Sequence, residues 1–331
     1  MSDERVWIRL PNWLGDALLA RPLLRGLSAA MPGAQLRVAG PGALIRLLES
    51  DATFEFVDPW PADRSGRGAL LARIRDWKPT AAVVLPPSFS SAFFAFHTHA
   101  PVRVGFAAAG RSLLLTHPVK RPARGDLHLS REYAALGRLW GTPDLECGRL
   151  SVTRQADQDA RALLVAHGIG DSRYAMLGPG ALYGPAKRWD AARFAELARR
   201  LAARGLQVLV CGTGAESDVC SEVARGAGAG AVDLSARTPL ETLAALCARA
   251  AVAVCNDSGL AHLAAACGAP TVVLFGSTSS AWSAPLGERV RVIQHAPVCS
   301  PCFQRRCRIG YACLRSIEVA EVDSACSEMA A

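Results

Sequence analysis

With 331 residues, 50% of them apolar and 20% charged, the chain is long enough for two ordinary domains and too apolar for a disordered one. The formal net charge of +8 is uneven, with 19 Lys and Arg against 13 Asp and Glu in residues 1–150 and 18 against 16 in the rest, so the first half favours an anionic partner. No aromatic-and-basic signature selects nucleic acid, no apolar run approaches the roughly 18 residues of a membrane-spanning helix, and cysteines in apolar segments, such as Cys211, Cys247, Cys255 and Cys267, read as reduced core thiols. The charged residues 1–9 run straight into a strand, so the expectation is a cytoplasmic protein that touches a membrane without crossing it.

Residues 6–10 predict a short strand, followed by Asn12-Trp13-Leu14-Gly15-Asp16 and a helix over 17–31 closed by Pro32-Gly33. Further strands are expected at 36–39, 54–57, 81–85 and 102–105, with helices at 44–49, 69–77 and 90–97. Such alternation predicts a mostly parallel, doubly wound sheet. From 111 to 126 the pattern weakens into a loop containing proline and arginine, and a helix over 129–140 closes the first half. A second series then begins, with strands at 174–177, 207–210, 231–234, 251–255 and 271–275 and helices at 191–204, 216–225 and 240–250. The polar break around Gly168-Ile169-Gly170 suggests domains of residues 1–160 and 161–331. Ligands of such folds lie at the carboxyl ends of the strands, so two facing halves would share one cleft.

Five stretches carry chemistry. Asp16, behind Gly15 at the entrance to the first helix, suits either a helix cap or a base that takes a hydroxyl proton. Gly178-Pro179-Gly180 with Gly184-Pro185-Ala186-Lys187 follows a strand and precedes a helix, so backbone and Lys187 can both approach phosphate; it matches neither the Walker loop nor the dinucleotide fingerprint. Cys211-Gly212-Thr213-Gly214-Ala215-Glu216 ends another strand, and Glu216 could hold a ribose or cap a helix. Asn256-Asp257-Ser258-Gly259 lies between a buried strand and a helix, where a carboxylate for sugar hydroxyls and a helix start for phosphate share one loop; the competing reading is that Asp257 or Ser258 only caps that helix. Cys299-x2-Cys302-x4-Cys307-x5-Cys313 could bind zinc or pack without metal.

Asn12-Trp13-Leu14-Gly15-Asp16, Leu85-Pro86-Pro87-Ser88-Phe89-Ser90-Ser91-Ala92, Gly184-Pro185-Ala186-Lys187-Arg188-Trp189 and Asn256-Asp257-Ser258-Gly259-Leu260-Ala261-His262 together resemble glycosyltransferase family 9, the ADP-heptose:lipopolysaccharide heptosyltransferases, and most of all its heptosyltransferase II branch. The resemblance spans nearly the whole chain. It implies a GT-B fold of two Rossmann-like doubly wound domains facing across a cleft, an acceptor-side first domain, and a donor-nucleotide second domain with a Cys-rich segment and terminal helix. It also implies inverting transfer without metal or cofactor, an ADP-heptose donor, and a heptosyl acceptor built on Kdo and lipid A at the inner face of the inner membrane.

Position by position, the resemblance gives Asp16 as base and Lys187 as the contact to the donor phosphates. Asp257, Ser258, Gly259 and His262 fall around the donor sugar and pyrophosphate, while Tyr183, Glu216 and Thr238 fall at further donor positions. A transferase using another nucleotide-sugar, or adding the first core heptose, is the alternative within enzymes. A nucleotide-binding or metal-scaffold protein is the alternative outside them.

Overall fold

The computed structural model describes residues 4–49, 54, 56–108, 110–143 and 147–330. Residues 1–3 and 55, which belong to the expected charged start and to the strand expected at 54–57, lie outside the described residues. The chain forms two compact units, Met1–Cys147 and Gly148–Ala331.

The first unit runs β1 (Arg5–Arg9), α1 (Leu14–Leu19), α2 (Arg21–Ala30), β2 (Gln35–Gly40), α3 (Gly42–Glu49), β3 (Phe56–Pro59), α4 (Arg64–Trp77), β4 (Ala81–Val84), α5 (Phe89–His97), β5 (Val102–Ala107), β6 (His117–Lys120) and α6 (Leu129–Ala134). Its strands form one parallel sheet in the order β3-β2-β1-β4-β5-β6. The inner strand β4 is buried along its whole length, as a parallel strand covered by helices on both faces must be. The single helix expected at 17–31 is two. Pro22 falls in the first turn of α2, where its missing N–H costs no hydrogen bond, and the chain breaks at Ala20 just before it. The loop expected at 111–126 contains a 3-10 turn, Arg111–Leu114, and the edge strand β6, whose mostly exposed side chains carry no apolar pattern.

The second unit runs α7 (Arg154–Ala166), β7 (Tyr174–Gly178), α8 (Ala191–Ala203), β8 (Gln207–Val210), α9 (Ser217–Ala227), β9 (Ala231–Asp233), α10 (Leu240–Arg249), β10 (Val252–Asn256), α11 (Gly259–Ala266), β11 (Thr271–Phe275), α12 (Ser280–Ser283), β12 (Val290–Gln294), α13 (Ala312–Arg315) and α14 (Val319–Ala330). Helix α7 and strand β12 fall outside the expected elements. The division between units precedes the expected 160/161 boundary because residues from 148 onward already pack on the second unit. The Leu150 N–H donates to the Ala266 carbonyl at 2.7 Å, and α7 lies against α10, with Arg249 Nε 2.7 Å from Asp157 Oδ1.

The second sheet is also parallel, ordered β12-β11-β10-β7-β8-β9. Counted from its own first strand, each unit therefore reads 3-2-1-4-5-6, the doubly wound order. Helices α8, α9 and α14 cover one face of the second sheet, burying Phe194, Leu197, Leu201, Val223 and Val322. All the cysteines are free thiols, and burial pushes those of Cys211, Cys220, Cys247 and Cys326 up, and that of Cys255 to about 12. In a sheet of this order the crevice for ligands opens where neighbouring strands send their connections to opposite faces. That point lies at the carboxyl ends of β1 and β4 in the first unit and of β7 and β10 in the second.

Candidate functional site

The chain leaves β7 at Gly178 and passes over the carboxyl end of the sheet to a 3-10 turn, Pro185–Lys187. Asn256, the last residue of β10 and fully buried, fastens this loop to its own strand. Its Nδ2 donates to the Pro179 carbonyl at 2.7 Å, and its Oδ1 accepts from the Trp189 N–H at 3.0 Å. Removing that amide would leave a buried N–H and a buried C=O unpaired, at about 1–3 kcal/mol each. Trp189, also buried, donates from Nε1 to the Ile317 carbonyl at 3.1 Å and packs edge-on against Phe194.

Held in this way, Lys187 Nζ lies 2.5 Å from Asp257 Oδ2 and 4.9 Å from the Tyr183 ring centroid. Thr278 Oγ1 donates to the same Asp257 oxygen at 2.5 Å. The lysine side chain is 13% exposed and the aspartate 3%, so neither charge has much water to fall back on and each depends on the other. The Asp257 carboxylate is thereby turned towards Lys187 and Thr278. Ser258 takes the N-cap position of α11 without a side-chain cap hydrogen bond, so the capping reading describes neither residue. Gly259 opens the helix and His262 is buried one turn in. A helix start without a side-chain cap, beside a lysine, presents N–H donors and positive charge to an anion.

The other expected donor residues sit around this pair. The Tyr183 hydroxyl donates to the Phe303 carbonyl, and its ring lies 5.5 Å from the Arg305 guanidinium as well as under Lys187. Glu216 closes a capping box at the end of β8: its Oε2 accepts from the Thr213 N–H at 2.9 Å and from Thr213 Oγ1 at 2.8 Å, while its carboxyl group lies against Gly180. Thr238, on the loop after β9, donates to the Leu234 carbonyl at 3.4 Å, and that loop joins the Glu216 loop through Ala236 N–H to Gly212 O at 3.0 Å. Lys187, Tyr183, Asp257, Ser258, Gly259 and His262 thus form one cluster, with Glu216 and then Thr238 on successive neighbouring loops.

Asp16 belongs to the first unit. It lies in the first turn of α1, half-exposed, and Trp13 rather than Asp16 occupies the N-cap. Arg9, the last residue of β1, donates to Asn12 Oδ1 at 2.5 Å, tying down the turn that leads to Asp16. Burial is the main cause that raises the Tyr133 hydroxyl well above its usual value, and the negative charge of Asp16 adds to it.

Two parts of the second unit's site escaped the sequence reading. One is Gly276-Ser277-Thr278-Ser279, a small-hydroxyl run leaving the carboxyl end of β11; a strand ending in such residues beside the Asp257 strand was the available signal. A Cβ on Gly276 would lie 2.4 Å from the Ala186 carbonyl, so only glycine lets the lysine loop come this close. The other is the use made of the cysteine-bearing segment. Arg305 O accepts the Ala186 N–H at 3.1 Å, Arg305 Nε donates to Tyr183 O at 2.8 Å, and the Phe303 N–H donates to Ser277 O at 2.7 Å. Gly184, at φ +147°, passes so near Arg305 that a Cβ would lie 2.6 Å from its carbonyl. The segment is a brace for the Lys187 loop.

Its cysteines stand apart from that brace. Cys307 Sγ accepts N–H bonds from Ile309 at 3.4 Å and Tyr311 at 3.2 Å, which hold its thiol below the usual range. Among the described residues, no three His, Cys, Asp or Glu side chains come together as a metal-holding group.

Two doubly wound parallel units, the second carrying a lysine–aspartate pair beside a helix start at its switch point, are the parts from which a GT-B fold is built. The model of glycosyltransferase family 9 (heptosyltransferase) matches residues 67–312. The lipopolysaccharide heptosyltransferase 2 of Salmonella typhimurium is 31% identical over 302 residues, 86% of each chain, and that of Escherichia coli K12 is 30% identical over the same share. Among solved structures, E. coli ADP-heptose lps heptosyltransferase II is similar with a TM-score of 0.83 and 26% identity, covering 98% of each chain. A family 9 glycosyl transferase of Veillonella parvula shares the fold, with a TM-score of 0.86 and 19% identity over 100% of this chain and 98% of that one. The chain belongs to glycosyltransferase family 9.

Proposed function

We propose that the chain is an inverting transferase that moves L-glycero-D-manno-heptose from ADP-heptose to the inner core of lipopolysaccharide, adding the second heptose to a Kdo-lipid A acceptor that already carries the first, at the cytoplasmic face of the inner membrane. The observation that carries this reading is the Lys187–Asp257 pair beside the α11 start, in a chain about 30% identical to proteins named lipopolysaccharide heptosyltransferase 2. Among the described residues no helix is long and apolar enough to cross a membrane, which agrees with peripheral attachment.

In this reading the pyrophosphate lies against the N–H groups at the start of α11. Lys187 turns from Asp257 to the phosphates, and Asp257 is freed for the heptose hydroxyls, with Ser258, Gly259 and His262 shaping that seat. Tyr183 backs the lysine, while Glu216 and Thr238 line the adenosine end. The acceptor hydroxyl attacks the anomeric carbon opposite the departing ADP, Asp16 takes its proton, and one displacement inverts the centre. Charge builds up on the leaving pyrophosphate as the bond breaks, so Lys187 and the α11 N–H groups bind the transition state more tightly than the ground state.

The test is to incubate the protein with ADP-heptose and either Kdo-lipid A or the same acceptor already carrying one heptose. The expected result is release of ADP and a gain of one heptose on the second acceptor alone. Transfer to the heptose-free acceptor would assign the first core heptose instead, and transfer to neither would remove the proposed reaction.

A further inference from the structure

Helix α5 is apolar on both its inner and its outer side, unlike an ordinary surface helix in water. Its inner side buries Ser91, Ala92, Phe94 and Ala95, with Phe94 5.2 Å from the Trp7 ring centroid and 4.8 Å from that of Trp60. Its outer side, where charged residues are expected, carries Phe89, Phe93 and Phe96, which are 53%, 46% and 42% exposed. These three positions recur at helical spacing and form one surface: Phe89 and Phe93 stack at 6.2 Å, and the His97 ring sits 4.3 Å from Phe93 and 5.5 Å from Phe96. Leu113, 92% exposed, extends the apolar surface on the 3-10 turn that packs beside α5. A contiguous exposed face of this kind marks an interaction site.

The charged side chains seen in contact with it are arginines. The Arg103 guanidinium lies 5.4 Å from the Phe96 centroid, and Arg75 Nε donates to the His97 carbonyl at 2.5 Å. Residues 77–125, which supply α5, β5, the 3-10 turn and β6, contain six Lys and Arg, three His and no Asp or Glu. Exposed aromatics rimmed by cations, with no acid in the tract, suit a surface that offers an apolar interior under a layer of negative headgroups. A protein partner would also call for complementary acids, but nothing here supplies the fixed pattern of donors and acceptors that would read one.

We infer that the outer face of α5, with Leu113 and the Arg75 and Arg103 rim, is the surface by which the protein docks on an anionic lipid bilayer. Phe89, Phe93, Phe96 and Leu113 enter the headgroup boundary while the arginines meet lipid phosphates. The first turn of α5 follows β4, the neighbour of β1, and the Leu85 N–H bonds to the Arg9 carbonyl at 3.1 Å. Phe89 thus lies at the Asp16 end of the first sheet, whereas Phe96 and His97, beside Arg103 and Arg75, lie towards its opposite end. The purpose of docking rests on the proposed lipid-anchored acceptor, but its test does not.

The full chain is sedimented with phosphatidylglycerol/phosphatidylethanolamine vesicles and with phosphatidylcholine vesicles, with neither donor nor acceptor present. Binding to the anionic vesicles, weakened by salt, is expected. Phe93→Ser/Phe96→Ser, both at exposed positions, should cut that partitioning by more than about tenfold. The same variant should keep its turnover on a delipidated acceptor and lose turnover on acceptor embedded in vesicles. Equal binding by the variant, or no binding by the parent chain, would overturn the inference while leaving heptosyl transfer standing. So would a parent dimer that the variant converts to monomer without any vesicle binding, which would make α5 a self-association face, or binding only to vesicles that contain the acceptor.

Discussion

Replacing Asp16 with asparagine should lower kcat by about 10²–10⁴, the usual contribution of a general base, and leave the affinity for ADP-heptose unchanged. The substitution keeps the size of the side chain in the first turn of α1 and removes only its capacity to take a proton. Asp16 belongs to the first unit, whereas Lys187, Asp257 and the α11 start belong to the second, so donor binding and proton removal should separate cleanly in the kinetics. Pre-steady-state turnover with calorimetric titration of ADP-heptose reads both quantities. A near-normal kcat would take Asp16 out of the role; a parallel loss of donor affinity would mean that it shapes the donor seat instead.

The second large effect is expected at Lys187. Lys187→Ala should reduce kcat/KM for ADP-heptose by about 10²–10³, the scale seen when one group that stabilises a developing anion is lost. The same change strands the buried Asp257 carboxylate with only Thr278 beside it, and breaking a buried pair from one side costs about 3–5 kcal/mol of stability. The double variant Lys187→Gln/Asp257→Asn removes both charges together and separates the two consequences. It should keep a thermal unfolding midpoint near that of the parent and still lose donor binding. Thr278→Val, which removes one hydrogen bond to a charged group, should give a weaker form of the same phenotype, about tenfold in kcat/KM. A double variant that binds ADP-heptose as the parent does would reduce the pair to a structural ion pair.

The centres of both sheets were legible because a parallel strand buried on both faces must be an uninterrupted apolar run, as at residues 81–85 and 251–255. The edges were not. β6 carries His117, Pro118 and Lys120 to solvent, and α7 buries only Ala156, Ala160 and Leu164, so neither announces itself by hydrophobic pattern. The site divides in the same way. The Asp257 loop and the Lys187 loop could be recognised locally, each as a strand, a glycine-containing turn and a helix. That they meet follows from the pairing of β7 with β10, which no local pattern encodes. The sequence left Asp257 and Ser258 open to a capping role; the structure turns the carboxylate to Lys187 and Thr278. Thr278 and the Arg305 brace belong to segments whose importance lies entirely in what they touch, and the cysteine spacing drew attention to the sulfur atoms when the backbone beside them holds the lysine loop.

The start of α11, with Lys187, is the proposed seat of the donor pyrophosphate. The structure of the protein with bound ADP-heptose tests it most directly. Phosphate oxygens are expected within hydrogen-bond distance of the Gly259 and Leu260 N–H groups, with Lys187 Nζ moved from Asp257 onto the phosphates. A complex in which the 2.5 Å Lys187–Asp257 contact persists and the pyrophosphate lies away from α11 would contradict it.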